Sequence, residues 1–423
     1  LLLKNYSIKK MKSWKYPVII LLTIGISNTG SWIYLLALNL TVLDLTKSSA
    51  FAVAGLYIMQ PTATLLTNIW SGSLIDRFNK RRILIAIDFI RALVICIIPF
   101  LDSLTAIYFI VLILGITNSI FIPTSMSYIT MLIEPEQRKS FNSLRSLISS
   151  GAFLIGPALA GLIFLFGNPV TAIYINSIAL FLSGLLTFLL PNLENSTIEK
   201  NSSNQLLFKV LKEDLHVVLT FSQKNFLVMK IYLTFSALVV MMTAIDSLEA
   251  AFSTTVLGLS EKEYGFLVSI AGAGIIIGSL ITTVFSKKLS VELMISMGVV
   301  VVGVGYLIYS FSTTFLMAAT GFFVLAFFLA FANTGIHTYY QENIPVEIMG
   351  RVSSIYSLVE AFFIILMTFS FGLATQFISL QLVIIIGAFM LLGISMYLLA
   401  LNAITLKKKY LIRVKTEGKI NGL

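Results

Sequence analysis

Twelve long, predominantly apolar runs divided by short polar turns leave this chain few ways to fold. A helix rises about 1.5 Å per residue, so roughly 20 apolar residues cross the hydrocarbon core of a bilayer. The first six runs approximate residues 17–41, 50–75, 82–101, 104–133, 142–166 and 170–190. The second six approximate 226–250, 264–285, 291–311, 314–340, 352–376 and 381–406. In lipid, only helices and closed barrels satisfy the backbone polar groups, and these runs are continuous rather than alternating at period two. The expected fold is therefore an all-α integral membrane protein with twelve transmembrane helices. Composition agrees: hydrophobic residues make up 57% and charged residues 11%, at a mean hydropathy of +0.95, which excludes a water-soluble globular domain.

Basic residues stay on the cytoplasmic side of short loops, so their placement orients the spans. With the N-terminus inside, the inner segments hold Lys4, Lys9, Lys10, Lys12 and Lys15, then Arg77, Lys80, Arg81 and Arg82, then Arg138, Lys139 and Arg145. Past the midpoint they hold Lys200, Lys209, Lys212, Lys224 and Lys230, then Lys287, Lys288 and Arg351, and the tail from Lys407 onward. The outer loops hold only Lys47 and Lys262. The net charge of +10 thus reads as a topology signal rather than a nucleic-acid surface, with both termini cytoplasmic. The first run is too long for a signal-peptide core and reads as a retained helix. Cys96 stands alone, which excludes an internal disulfide.

Residues 191–204, PNLENSTIEKNSSN, form the one extended polar break. They divide an N-terminal bundle (1–190) from a C-terminal bundle (226–406), with a linker at 191–225 and a basic tail at 407–423. Within the linker, Leu207, Val210, Leu211, Leu215, Val218 and Leu219 recur at helical spacing against Lys209, Lys212, Glu213 and Asp214. That pattern suggests a helix on the inner membrane surface.

The turn between the second and third runs, GSLIDRFNKRR at 72–82, returns in weaker form as GSLITTVFSKK at 278–288, an offset of 206 residues from Gly72 to Gly278. The repeat implies two equivalent halves. Two six-helix halves, a long inner linker, and Gly72, Asp76, Arg77, Lys80 and Arg81 in this turn resemble the major facilitator superfamily over essentially the whole chain. The resemblance implies a gate, in which Gly72 permits close helix packing and Asp76 engages a basic neighbour and the start of the eleventh helix, with Arg77 and Arg81 as its basic partners. A carboxylate near a helix N-terminus or an Arg stabilises one closed arrangement and is pulled apart in another. The alternative is inner-side topology alone. Asn79 replaces the Gly usual in the family pattern, and Asn is the next best residue for a left-handed turn. Thr282 stands where Asp76 would align, so only the first copy can form a charged latch.

In the fifth run Gly156, Pro157 and Gly161, within GAFLIGPALAG, are similar to the Gly-Pro element of exporters that exchange substrate for protons. Small residues let helices approach while Pro bends the span, and ordinary packing accounts for the same residues. QENIPVEIMGRVSS at 341–354 and EPEQRKSFNSL at 134–144 resemble a bacterial drug and macrolide efflux branch, which also includes exporters of siderophores and other self-made compounds.

Ionisable residues within spans are candidates for coupling. Asp88 and Arg91, three apart in the third run, can pair on one helix face or take part in coupling. Asp246 and Glu249, three apart near the outer end of the seventh run, either share a proton in an outward vestibule or cap a solvated helix end. Glu360, nine residues past Arg351 and without a sequence-local basic partner, is the leading single candidate. His337 is secondary, an interfacial histidine being the simpler reading. The fourth run lacks the basic residue that many proton-coupled drug exporters of this superfamily carry there. Trp32, Tyr34, Asn39, Asn118, Tyr339 and Tyr340 are candidates to line a cavity for amphipathic molecules.

There is no phosphate-binding Gly-Lys loop, and two His with one Cys build no conventional metal cluster, so neither an enzyme nor a cofactor is expected. The expectation is a monomeric, multi-pass secondary transporter of the bacterial plasma membrane. It would export a hydrophobic or amphipathic small molecule, the candidate classes being a drug, a macrolide-like antibiotic or a siderophore-like compound, by alternating access in antiport with protons. An importer, an uncoupled facilitator and a non-transporting receptor or scaffold stand as alternatives.

Overall fold

In a computed structural model of the protein, residues 14–68, 70, 71, 75, 78–194, 207–285 and 289–420 are described. Among them, twelve helices are long and apolar enough to cross a membrane. In chain order these are α1 (Lys15–Leu45), α2 (Ala50–Thr67), α3 (Lys80–Ile97), α4 (Leu104–Leu132), α5 (Arg138–Phe166) and α6 (Pro169–Phe188), then α7 (Phe226–Asp246), α8 (Glu261–Phe285), α9 (Val291–Ser310), α10 (Phe315–Asn343), α11 (Val346–Ala374) and α12 (Leu380–Ile420). A linker helix, Leu207–Lys224, precedes α7. α12 continues as helix beyond its apolar span, through Ile420.

Local chemistry starts these helices where the apolar runs begin. Side-chain oxygens of Ser49, Ser103, Asn168, Ser290 and Thr314 accept from backbone N–H groups three residues on, at the first turns of α2, α4, α6, α9 and α10. Asn79 does the same for α3: its φ is −64° and its side chain accepts from the Arg82 N–H at 3.0 Å. The left-handed turn expected of Asn79 is therefore not formed; the residue is an extended N-cap instead. Large apolar side chains such as Phe100, Leu316 and Val284 lie exposed on the helix surfaces, as suits lipid rather than water.

Within the first six helices, α1 packs on α5 and α6, α2 on α4, and α3 on α6; within the last six, α9 packs on α10 and α12, α8 on α10, and α7 on α11 and α12. The two sets meet chiefly through α5 against α8 and α2 against α11. The α5–α8 crossing is backbone on backbone. A Cβ built on Gly265 would stand 2.7 Å from the Gly161 Cα, and one on Gly272 would stand 2.6 Å from the Leu154 Cα. Only glycine allows that approach. The Ser269 hydroxyl, on the same face of α8, donates to the Leu154 carbonyl at 2.7 Å.

Candidate functional site

The described residues pack tightly at the end away from the basic turns. Leu36 to Asn39 and Val42 of α1, with Ala244 and Ile245 at the end of α7 and Leu248, Ala250, Ala251 and Phe252 just beyond it, are almost entirely buried. Phe51 of α2 meets Phe369 of α11 with ring centroids 5.8 Å apart. Inside this seal lies a group of carboxyls and tyrosines. The Tyr306 hydroxyl of α9 donates to Asp246 Oδ1 at 2.7 Å, and the Tyr309 hydroxyl donates to the Glu249 carbonyl at 3.3 Å. The Tyr264 hydroxyl of α8 lies between the Glu249 carboxyl and Asn39 of α1. Asn39 Nδ2 in turn donates to the Tyr57 hydroxyl of α2 at 3.2 Å. A polar chain thus runs from Glu249 through Tyr264, Asn39 and Tyr57 across the boundary between the two six-helix sets, while Asp246, half-buried like Glu249, is held by Tyr306 within its own half. The expected outward vestibule for these two acids is closed over in this arrangement.

Toward the basic end the first half is hollow. A cavity of about 210 Å³ is lined by residues of α1, α3, α4, α5 and α6, among them Asn28, Ser31, Arg91, Asn118, Phe121 and Arg145. A second, of about 360 Å³, shares Ser31, Arg91 and Asn118 and adds Trp32, Tyr34, Gln60 and apolar side chains. Asp88 and Arg91 do not form the ion pair that their spacing allows. Asp88, fully buried, accepts from the Ser183 hydroxyl of α6 at 2.7 Å. Arg91 turns to α4, donating from Nε to Thr117 at 3.2 Å and from Nη2 to Asn118 at 2.9 Å, with the Phe121 ring 4.6 Å from its Cζ. Their Cα atoms share a helix face, yet each side chain finds a neutral partner on a different neighbouring helix.

Gly72, Asp76 and Arg77 of the turn, with Lys287 and Lys288 of its later copy, lie outside the described residues. Arg81 is described: its Nη2 donates to the Phe188 carbonyl at the end of α6, within its own half, rather than toward α11. Lys80 pairs with Glu194 at 2.6 Å, tying the same turn to the start of the linker. At this end α2 and α11 are joined by Asn68 Nδ2 donating to the Ser354 hydroxyl at 3.3 Å. Arg351 of α11 pairs with Asp214 of the linker helix at 3.1 Å.

Gly156 and Gly161 serve different faces of α5. A Cβ on Gly156 would meet the Trp32 Cβ of α1 at 2.6 Å, whereas one on Gly161 would meet the Lys262 carbonyl of α8 at 2.9 Å. The Pro157 carbonyl also lies in that second crossing, 2.8 Å from a Cβ on Gly265. Glu360 accepts from the Ser236 hydroxyl of α7, so its partner belongs to its own half. His337 is exposed on α10. Tyr340 packs on Tyr232 at 5.3 Å and donates to the Met349 carbonyl, and Tyr339 is buried, so neither joins the cavity around Arg91. Sequence reasoning did not single out Tyr57, Tyr264, Tyr306 and Tyr309; a tyrosine in an apolar run carries no local mark of a partner some 60 positions away, as Tyr306 has in Asp246. It treated Arg145 as a topology residue, where its i+7 spacing from Arg138 within a helical run already placed it two turns inside the span. Among the described residues no cluster of three or more metal-ligating side chains comes together.

Comparison with known proteins places this architecture. The model of the Major Facilitator Superfamily matches residues 20–368. The chain is 23% identical over 401 residues to an uncharacterized MFS-type transporter, YfiS, of Bacillus subtilis (strain 168), covering 93% of this chain and 94% of that protein. It is 24% identical to the Staphyloferrin A transporter of Staphylococcus aureus (strain NCTC 8325 / PS 47), over 77% of this chain and 81% of that one. In fold it is similar to the crystal structure of the nucleoside transporter NupG, with a TM-score of 0.72 at 12% identity, covering 92% of this chain and 99% of that one. The chain therefore belongs to the Major Facilitator Superfamily and is a multi-pass membrane transporter rather than an enzyme.

Proposed function

We propose that this transporter exports a hydrophobic or amphipathic small molecule across the bacterial plasma membrane by alternating access, in exchange for protons. Candidate substrates are a drug, a macrolide-like antibiotic or a siderophore-like compound. One observation carries the reading: a carboxyl pair, Asp246 and Glu249, is built into the seal at one end while a cavity lies toward the other. A coupling group has to feel the change from one arrangement to the other, because a proton drives only an equilibrium whose two states bind it unequally. Glu249 meets that condition through Tyr264, Asn39 and Tyr57, which link both halves. Glu360, bonded within its own half, meets it less well, so the coupling role moves from Glu360 to Glu249, with Asp246 as its neighbour in the carboxyl pair. With the basic turns inside, the hollow end faces the cytoplasm and the seal faces out, as suits loading from within.

Export is supported further by Gly156, Pro157 and Gly161, whose likeness to the antiporter element now coincides with the α1–α5 and α5–α8 crossings. The test is efflux from proteoliposomes under an imposed pH gradient, over a panel of macrolides, dyes, siderophores and peptides. Gradient-dependent efflux of an amphipathic member is expected; flux indifferent to the gradient overturns antiport.

A further inference from the structure

Arg91 is the deepest cation of the first half among the described residues: it lies 11 residues beyond Lys80, about 17 Å along the axis of α3, and is 8% exposed. No carboxylate oxygen of the described residues lies within 4.0 Å of it. Its Nε and Nη2 are held by the neutral oxygens of Thr117 and Asn118, and Phe121 covers one face at 4.6 Å. These contacts fix the plane of the guanidinium. Its Nη1 has no hydrogen-bond partner among the described residues, and Arg91 lines both cavities.

A second cation shares the smaller cavity. Arg145 of α5 also lines it, and its Nη1 donates to the Met126 sulfur at 3.3 Å, a weak and neutral acceptor. Among the described residues, no Asp or Glu lines either cavity. Asp88, the nearest acid in sequence, accepts from Ser183 at Oδ2, leaves a buried Oδ1 without a hydrogen-bond partner, and offsets the charge of Arg91 without bonding to it. On the far side of Arg91, the larger cavity presents Trp32, Tyr34, Leu35, Val111 and Leu114. A fixed, partly satisfied guanidinium between a polar chamber and an aromatic one is a recognition element for an anionic group joined to an apolar body.

We propose that Arg91, assisted by Arg145, binds the carboxylate of an amphipathic organic acid whose apolar part lies against Trp32 and Tyr34. This names the substrate class of the transporter and rests on the transport reading above only for what happens after binding. A carboxylate at Nη1 would accept from Arg91 in the ground state of the hollow arrangement. Asn28, whose Nδ2 donates to the Ser149 hydroxyl at 3.1 Å, and Ser31 supply further polar contacts along the same wall.

The experiment is calorimetric titration of the full-length protein in lipid nanodiscs, with empty nanodiscs as the blank. The probes are matched pairs at neutral pH: 2-naphthoate and 2-naphthamide, 4-biphenylcarboxylate and its amide, cholate and its amide. In at least one pair the acid should bind about tenfold or more tighter than the amide, as a charge-assisted hydrogen bond from Nη1 gives. Arg91→Gln should bring the acid down to the affinity of its amide and leave the amide within about twofold of wild type. Arg91→Lys keeps the charge without the fork and should fall between. Arg145→Gln, on a partly exposed stretch of α5, should weaken acid binding by roughly three- to tenfold with no loss of monodisperse protein, and it keeps the test alive should Arg91→Gln fail to fold. No acid preference in any pair, including no binding at all, overturns the proposal, as does an acid preference that survives both glutamine substitutions. Flux is scored separately on the same preparations: acid preference without flux refutes the transport reading, and flux of neutral compounds without acid preference refutes the anion site.

Discussion

Gly265→Ala places one methyl group where α5 and α8 cross. The added Cβ would stand 2.7 Å from both the N and Cα of Gly161 and 2.8 Å from the Pro157 carbonyl oxygen. All three are backbone atoms, so no side chain can swing away. Carbon atoms pack at about 3.5–4.0 Å, and the helices must therefore separate by roughly 1 Å at this point. Overpacking of this kind costs about 1–3 kcal/mol. The crossing belongs to the sealed arrangement, so the strain falls on that arrangement and is relieved wherever α5 and α8 part. A bias of about 1–3 kcal/mol shifts the balance between arrangements by roughly 5- to 150-fold. Spin labels at Lys47 and Thr313, in a Cys96→Ser background, report across the sealed end by double electron–electron resonance. The variant should show a larger population at the longer distance. An unchanged distance distribution in folded Gly265→Ala would refute the inference that this crossing holds the seal.

Three further outcomes test the turn, the carboxyl pair and the linker helix. Asp76→Asn should impair transport while leaving expression and membrane insertion intact, measured as efflux per inserted molecule; wild-type turnover would reject the charged latch. Tyr306→Phe removes the donor that lies 2.7 Å from Asp246 Oδ1, a loss worth about 1–3 kcal/mol. Gradient-driven initial rates should fall roughly tenfold or more, and rates equal to wild type would detach Tyr306 from coupling. The Arg351–Asp214 pair keeps side-chain exposures of 48% and 29%, so a double-mutant cycle in thermal unfolding should give a coupling below about 1 kcal/mol. A coupling above about 2 kcal/mol would make the linker helix a clamp on α11 rather than a surface neighbour.

What could be read in advance was set by how far each signal reaches along the chain. A transmembrane span is a local property of about 20 consecutive residues, so all twelve were legible. The helix starts at Ser49, Ser103 and Asn168 are local in the same way. Asn79 was misread because two local preferences of asparagine compete, the left-handed turn and the N-cap, and only the course of the chain into α3 decides for the cap. For Asp88 and Arg91, spacing alone allows a pair or a part in coupling. Spacing fixes a shared face, but the partners Ser183, Thr117 and Asn118 come from α6 and α4, and no period in α3 encodes them. The same limit hid the Tyr306 contact, since depth in a span is legible and a partner on a distant helix is not. Gly156 and Gly161 were recognised as one packing element, yet their separate partners, Trp32 and Gly265, became visible only with the helices assembled.

The most direct test of proton-coupled export follows the proton itself. Proteoliposomes carrying a pH dye receive the most strongly transported member of the substrate panel without any imposed gradient. Substrate entering one side should move protons the other way in wild type, and Asp246→Asn with Glu249→Gln should exchange substrate without moving protons. Substrate flux in wild type with no accompanying proton movement would contradict the account.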